Sequence, residues 1–150
     1  MVVTVSTDLA IPAARARELA LKPALLEYVL WPWVQMPPLE PLPETITEGQ
    51  RITAKLRFLG VLSGWHHTLT IERLGELEIA SREHGGPVRE WNHRLTFQET
   101  PPDSCRYTDS VEIHAGLATP TVVLFAHLIY RYRQWRWRAL ARVLAAESNV

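Results

Sequence analysis

Between Gln50 and His114, apolar and polar residues alternate with a period of two, which restricts this region to β-structure. The alternation occurs in five successive runs, which are separated by short segments containing glycine or proline. The apolar positions of these runs begin at Ile52, Trp65, Leu77, Trp91 and Cys105. Strands of this kind bury one face and expose the other, as in antiparallel sheets. The sequence therefore predicts an antiparallel meander joined by short hairpin connections.

One long helix is predicted after the meander. Thr119 and Pro120 are typical of a helix start, with Thr119 as the N-cap and Pro120 in the first turn. From there, apolar residues recur at helical spacing as far as about Ala146 and form one broad face. The helix therefore has an apolar side with which to cover the sheet.

The region before the meander predicts one strand and two short helices. Residues 3–7 alternate β-branched and small polar side chains, as a strand does, and residues 13–21 and 23–30 favour helices. Five prolines between residues 32 and 43 predict a stiff loop. The whole pattern favours an α+β protein, in which a curved antiparallel sheet of about six or seven strands wraps around the long C-terminal helix.

The composition fits one domain spanning residues 1–150. A hydrophobic fraction of 47% excludes disorder as the main state, and a net charge of zero argues against nucleic acid as a partner. Cys105 is the only cysteine, which excludes an intrachain disulfide. We recognise neither a secretory signal nor a membrane-spanning segment, so we expect a cytoplasmic protein without stable membrane insertion.

The expected arrangement leaves space inside the protein. A strongly curved sheet has one concave apolar face, and the short helices and the proline-rich loop close only its ends. Because one helix rarely fills such a face, we expect a cavity between sheet and helix, where small apolar ligands bind. A fully packed interior is the alternative.

Four segments carry a resemblance to a known superfamily: residues 86–93, 107–113, 115–120 and 125–138. Together with the order of elements, they are similar to the START/polyketide-cyclase (SRPBCC) superfamily and its helix-grip fold. The resemblance covers nearly the whole chain and implies a pocket for a hydrophobic ligand, such as a lipid, a polyketide or an aromatic-like molecule. It does not imply one chemistry, because members of the superfamily include carriers, receptors and enzymes.

Two polar residues, His93 and Asp109, share the inward register of neighbouring strands. A buried aspartate needs a partner, and Arg133 on the final helix is the expected cation. In a functional interpretation the three side chains orient a ligand carbonyl or carboxylate, and His93 acts as an acid or base. In a structural interpretation the same network only fixes the helix to the sheet.

Aromatic residues are expected to form walls of the cavity. Trp65, His67 and Trp91 share the inward register, while Trp31 and Trp33 flank Pro32 at the loop that closes one end. The alternative is that each tryptophan only fills the core. The residues expected at the ligand site are Trp31, Trp33, Trp65, His67, Trp91, His93, Tyr107, Asp109, Phe125, Ile129 and Arg133.

Binding of a small hydrophobic molecule, without a cofactor, is therefore the leading functional hypothesis. The alternative is a polyketide cyclase/dehydratase-like enzyme that uses His93 and Asp109 for proton transfer, so whether a reaction occurs stays open. A third hypothesis is a protein that binds a partner chain through the arginines of the final helix. Those arginines are otherwise expected to pair with outward-facing carboxylates. The carboxylates in question are Glu72, Glu76, Glu78 and Glu112.

A metal site is not expected from the histidines. The sequence contains six of them, but His66 and His67 are adjacent on a strand and point to opposite faces. Neither clustered acids nor further cysteines accompany them at the spacing of metal ligands.

Overall fold

The alternating region forms an antiparallel sheet, as the sequence predicts. A computed structural model describes residues 1–43 and 46–148, and within them the chain forms seven strands and three α-helices. The strands are β1 (Val2–Leu9), β2 (Val34–Gln35), β3 (Arg51–Phe58), β4 (Leu62–Leu74), β5 (Glu78–Gly85), β6 (Val88–Thr100) and β7 (Ser104–His114). The helices are α1 (Ala13–Ala20), α2 (Pro23–Leu30) and α3 (Thr119–Ser148).

The order across the sheet is β1-β7-β6-β5-β4-β3-β2. The meander β3 to β7 is therefore contiguous, and β1 returns to pair with β7 along its whole length. The ladder shifts register near Lys55, Ile71 and Glu83, and irregularities of this kind bend strands and increase their twist. The predicted α+β helix-grip arrangement, a curved sheet around one long helix with two short helices after the first strand, is confirmed.

One face of the sheet is buried, and the other is exposed to solvent. Along β6, His93, Leu95 and Phe97 are buried, whereas Arg94 is exposed and Thr96 is half-buried. This is the predicted period of two, and it places His93 on the concave side, facing α3.

Helix α3 covers only part of the concave face. Its sheet contacts are most extensive with β1 and include β7, and it also packs against α2. Trp137 is the largest fully buried side chain on this helix and belongs to the core cluster with Val5 and Val111. Since α3 is packed towards one edge of the sheet, the concave side of β3 to β6 is left to form a cavity wall.

The proline-rich region differs in part from the predicted loop. Val34 and Gln35 form the two-residue strand β2, which pairs with Phe58 and Arg57 of β3 at the edge of the sheet. Proline lacks a backbone donor, so pairing stops where the prolines begin, apart from one bridge at Pro38. Residues 44 and 45, which follow this segment in the sequence, lie outside the described residues.

The start of α3 also differs from the prediction. Thr119 is not the N-cap but the first helical residue, with φ −51° and ψ −47°. Its hydroxyl donates to the Gly116 carbonyl and accepts from the Ala115 N–H, because a 3-10 turn at Gly116–Ala118 leads directly into the helix.

The sequence predicts that the α3 arginines pair with outward-facing carboxylates of the sheet. For three of these carboxylates the structure gives a different partner, so the prediction is wrong there. Glu72 pairs with Arg82, Glu78 with Arg94, and Glu112 with His114. These carboxylates lie on the convex face, which points away from α3, so neighbouring strands supply their partners. Among the described residues, we find no helix with the length and hydropathy needed to cross a membrane.

Two tryptophans on α3 allow a test of how this helix packs against the sheet. Trp137 is 1% exposed and Trp135 is 57% exposed. Trp137→Ala should lower the free energy of unfolding by about 3–5 kcal/mol, because it leaves a cavity in the core. Trp135→Ala should cost less than about 1 kcal/mol. Urea denaturation of both variants measures the difference, and equal losses would show that α3 does not bury the Trp137 face.

Candidate functional site

A cavity of about 960 Å³ lies between the concave sheet, α2, the proline-rich segment and α3. Its lining is mainly apolar. The sheet contributes Ile52, Ala54, Leu56, Leu69, Ile71, Ile79 and Leu95, and the helices contribute Leu25, Leu26, Val29, Leu30, Val122, Phe125 and Ile129. The volume is at the upper end of the range of about 300–1,000 Å³ that is typical of small-molecule sites.

One end of the cavity reaches the protein surface. Lining residues at the α1–α2 junction and in the proline-rich segment are exposed, including Lys22, Pro23 and Pro37. Glu27 and Arg57 are also part of the lining. We take this end as the entrance, since charged side chains there stay hydrated while the interior is apolar.

An aromatic wall connects the sheet to α3. The ring centroid of Phe58 lies 5.7 Å from that of Trp65 and 6.1 Å from that of Phe125. Trp65 packs against Gly86, where a Cβ would lie 2.4 Å from indole atoms and where φ is +53°. A glycine is therefore required at position 86 both for the backbone and for the position of Trp65.

A row of alternating acids and histidines crosses the concave face; we call it the acid–histidine row. Its members are His67 of β4, Glu83 of β5, His93 of β6 and Asp109 of β7. His67 Nε2 lies 3.0 Å from Glu83 Oε2, and His93 Nε2 lies 3.0 Å from Asp109 Oδ1. The two pairs approach each other where His93 Nδ1 lies 3.9 Å from Glu83 Oε1.

The strand register explains why the row runs diagonally. Each member lies two residues along its strand from the position directly opposite its neighbour in the row, and such diagonal pairs are within reach of long side chains. The directly opposed pairs are Leu69 with Glu83, Ser81 with His93, and Leu95 with Asp109.

Further hydrogen bonds satisfy the two buried carboxylates. The Ser81 hydroxyl donates to Glu83 Oε1 at 2.7 Å, and the Tyr107 hydroxyl donates to Asp109 Oδ1 at 2.7 Å. Gln134 of α3 donates to Asp109 Oδ2 at 3.0 Å and to the Val5 carbonyl at 2.8 Å. The network therefore connects β1, β4, β5, β6, β7 and α3, which supports its structural interpretation.

Arg133 of α3 lies beside the row and lines the cavity. Its side chain is 10% exposed, and its Nη2 is 3.9 Å from Asp109 Oδ1, which is an ion pair but longer than a hydrogen bond. Its guanidinium carbon lies 5.7 Å from the Tyr130 ring centroid. The Arg133 Nε has no hydrogen-bond partner among the described residues.

The surroundings hold both carboxylates in the ionised form. Burial raises the pKa of Asp109, but the charge of Arg133 and the hydrogen bonds from His93 and Tyr107 outweigh it, so the pKa stays below its usual value. Burial likewise raises the pKa of Glu83, yet the contacts with His67, His93 and Ser81 leave it lowered.

Tyr107, Tyr130 and Arg133 keep their ordinary charges. Burial raises the pKa of Tyr107 and of Tyr130 well above the usual value, so both phenols stay neutral. Burial lowers the pKa of Arg133, but Tyr107, Asp109, Tyr130 and Glu83 together raise it more, so the guanidinium stays charged.

Seven of the predicted site residues line the cavity: Trp65, His67, Trp91, His93, Phe125, Ile129 and Arg133. Trp91 is held by α3, because its indole N–H donates to the Tyr130 hydroxyl at 3.1 Å. These side chains come from β4, β6 and α3, and the register of the sheet brings them together.

Four predicted site residues lie away from the cavity. Tyr107 and Asp109 are 0% and 1% exposed and lie behind the lining, in the hydrogen-bond network. Trp31 and Trp33 are 50% and 48% exposed and lie against Tyr132 on the outer side of α3, where the Tyr132 hydroxyl donates to the Trp31 carbonyl. The loop that holds these two tryptophans turns them outward.

Glu83 is the main site residue that sequence reasoning missed, together with Ser81, Tyr130 and Gln134. A signal for Glu83 was present, because it continues the inward register of Ile79 and Ser81 along β5. For Tyr130 and Gln134, the helical spacing shows only that they share the buried face with Arg133.

Neither a reactive thiol nor a metal centre emerges from the described residues. Cys105 is buried, and burial together with Glu99 and Asp8 raises the pKa of its thiol to about 11. Such a thiol is not activated as a nucleophile. No grouping of three or more histidine, cysteine or acidic side chains in the described part of the chain is arranged to hold a metal ion.

Solved structures resemble this protein over nearly their full length. Protein CV1439 from Chromobacterium violaceum superimposes with a TM-score of 0.75 at 13% identity, covering 93% of this chain and 96% of that chain. A START superfamily protein from Mycobacterium smegmatis has a TM-score of 0.74 at 13% identity, covering 95% and 98%. Ara h 8.0201 has a TM-score of 0.62 at 12% identity, covering 91% and 97%.

Neither a protein-family model nor a curated protein matches the sequence. At identities of 12–13%, the likeness to solved structures concerns the fold alone. Element order, sheet topology and these superpositions agree. The chain has a helix-grip fold, and the same overall architecture is found in these solved structures.

Proposed function

We propose that the protein binds a small hydrophobic molecule, of lipid, polyketide or aromatic-like character, in the cavity beneath α3. The observation that carries this proposal is the cavity itself, which has a volume of about 960 Å³ and a mainly apolar lining. Protein interiors are normally close-packed, so an apolar space of this size is costly unless a ligand occupies it.

The aromatic wall supports the same proposal. Phe58, Trp65 and Phe125 present ring faces and edges at one side of the cavity, and rings of this kind suit planar or extended apolar ligands. Each apolar ring or methylene that the ligand buries contributes about 25 cal/mol per Å² removed from water.

The geometry supports proton transfer by His93 and Asp109 less well. Both side chains need to reach the open cavity for that role, but only His93 is part of the lining. Both ring nitrogens of His93 face carboxylates, at 3.0 Å from Asp109 and 3.9 Å from Glu83. A histidine held in this way is better suited to a structural network than to exchange of a proton with a ligand.

A bound ligand should accompany the purified protein. Because the cavity is apolar and partly closed, we expect native mass spectrometry to show an added mass that organic-solvent extraction removes. Recovery of the apo mass alone, with no shift in thermal stability on addition of fatty acids, terpenoids or polycyclic aromatics, would count against a ligand-binding role.

Filling the cavity should weaken binding. Leu69 and Thr70 are adjacent on β4 and point to opposite faces, and only Leu69 lines the cavity. Leu69→Trp should lower the affinity for the neutral hydrophobic dye Nile Red at least about tenfold, whereas Thr70→Trp should leave it within about twofold. Fluorescence titration measures both, with circular dichroism as the control for folding. If the two variants bind Nile Red with equal affinity, the dye does not occupy the cavity.

A further inference from the structure

Arg133 is a charged residue of the cavity lining whose hydrogen-bond donors are not all paired within the described residues. The carboxylates of Glu83 and Asp109 are hydrogen-bonded to histidines and hydroxyls. By contrast, Arg133 Nε has no partner among the described residues, and Nη2 stays 3.9 Å from Asp109. A guanidinium carries five N–H donors, and a buried donor without an acceptor costs about 1–3 kcal/mol.

The position of Arg133 brings its side chain to the cavity. Its side chain is nine-tenths buried, so bulk water is not its main partner, and it forms part of the cavity lining. Ile129 lies one helical turn earlier on the same side of α3 and is also part of the lining. The cavity thus has an apolar body and, at Arg133, a polar end that requires an acceptor.

The charges around Arg133 select a neutral acceptor. Glu83 and Asp109 carry two negative charges, and Arg133 supplies one positive charge. A ligand carboxylate would add a third negative charge in a low-dielectric interior, where repulsion between like charges is strong. A carbonyl oxygen accepts the hydrogen bonds of Arg133 without adding charge.

We propose that the ligand is a neutral molecule with an apolar body and a carbonyl oxygen, and that this oxygen accepts hydrogen bonds from Arg133. The inference rests on the proposed function, since it requires that the cavity be a ligand site. It adds the chemical class of the ligand and the residue that recognises its polar end.

Three probes of nearly equal shape test the proposal: 2-acetylnaphthalene, 2-ethylnaphthalene and 2-naphthoate. The first carries a neutral carbonyl, the second replaces that carbonyl with a methylene, and the third carries a carboxylate. Affinities are measured at pH 8 by displacement of Nile Red from the wild-type protein, from Arg133→Met and from Ile129→Val. The same two probes are compared on the wild-type protein and on a variant, so the difference between the hydration free energies of the probes cancels.

The wild-type protein should bind 2-acetylnaphthalene at least about tenfold more tightly than 2-naphthoate. Arg133→Met should lower the affinity for 2-acetylnaphthalene about tenfold more than the affinity for 2-ethylnaphthalene, because the ketone loses a hydrogen bond from a charged donor. Ile129→Val removes only an apolar contact, so it should change both affinities by the same factor. Arg133→Lys keeps the charge but loses the planar fork, and it should show an intermediate ratio.

The possible failures are distinguishable. If Arg133→Met lowers the affinities for 2-acetylnaphthalene and 2-ethylnaphthalene by the same factor, the role of Arg133 is overturned, but the proposal of ligand binding is not. Preference for 2-naphthoate in the wild-type protein would overturn the neutral ligand class, and this outcome needs no variant to fold. If none of the probes binds and Nile Red does not bind either, the proposed function fails and this inference fails with it.

Discussion

The concave face of the sheet is wider than the helix that covers it. Because α3 packs chiefly against β1 and also against β7, it meets the apolar side of β3 to β6 through individual side chains, such as Tyr130 against Trp91. That mismatch forms the cavity, and α2 with the proline-rich segment borders the opening that remains. A flat sheet would give the same burial pattern without the space. The curvature, supported by register shifts near Lys55, Ile71 and Glu83, is therefore the basis of the proposed function.

The acid–histidine row places charge where a purely structural core would have apolar residues. Burial of Glu83 and Asp109 is costly, and their hydrogen bonds and the charge of Arg133 compensate for it. Most of this network fixes α3 to the sheet, as Gln134 shows by bonding both Asp109 and the Val5 carbonyl. The two carboxylates are thus satisfied within the protein, whereas Arg133 lines the cavity and its Nε has no partner among the described residues.

The fold could be predicted because it depends on periodicity. Alternation with period two identified the strands of the meander, and Pro23 and Pro120 marked two helix starts. Periodicity gives the face on which a residue lies but not its offset from the neighbouring strand. The sequence therefore placed His93 and Asp109 on one face, while their 3.0 Å contact depends on a diagonal register that only the structure gives.

The site was predicted less completely, for two physical reasons. Glu83 was missed because a charged residue was not expected to continue an inward register, although two histidines and a serine stabilise it there. Trp31 and Trp33 were placed at the cavity because of their size and chain position. Their orientation depends on the backbone path of a proline-rich segment and on packing against Tyr132, and neither has a periodic signal.

A crystal structure of the protein with 2-acetylnaphthalene would test the central claim most directly. We expect continuous density between the concave sheet and α3, with the ketone oxygen at hydrogen-bond distance, about 3 Å, from the Arg133 guanidinium. The contrary result would be an interior closed by rotated side chains, or density for the naphthalene only on the outer surface. Either finding would mean that the space beneath α3 is not a binding site.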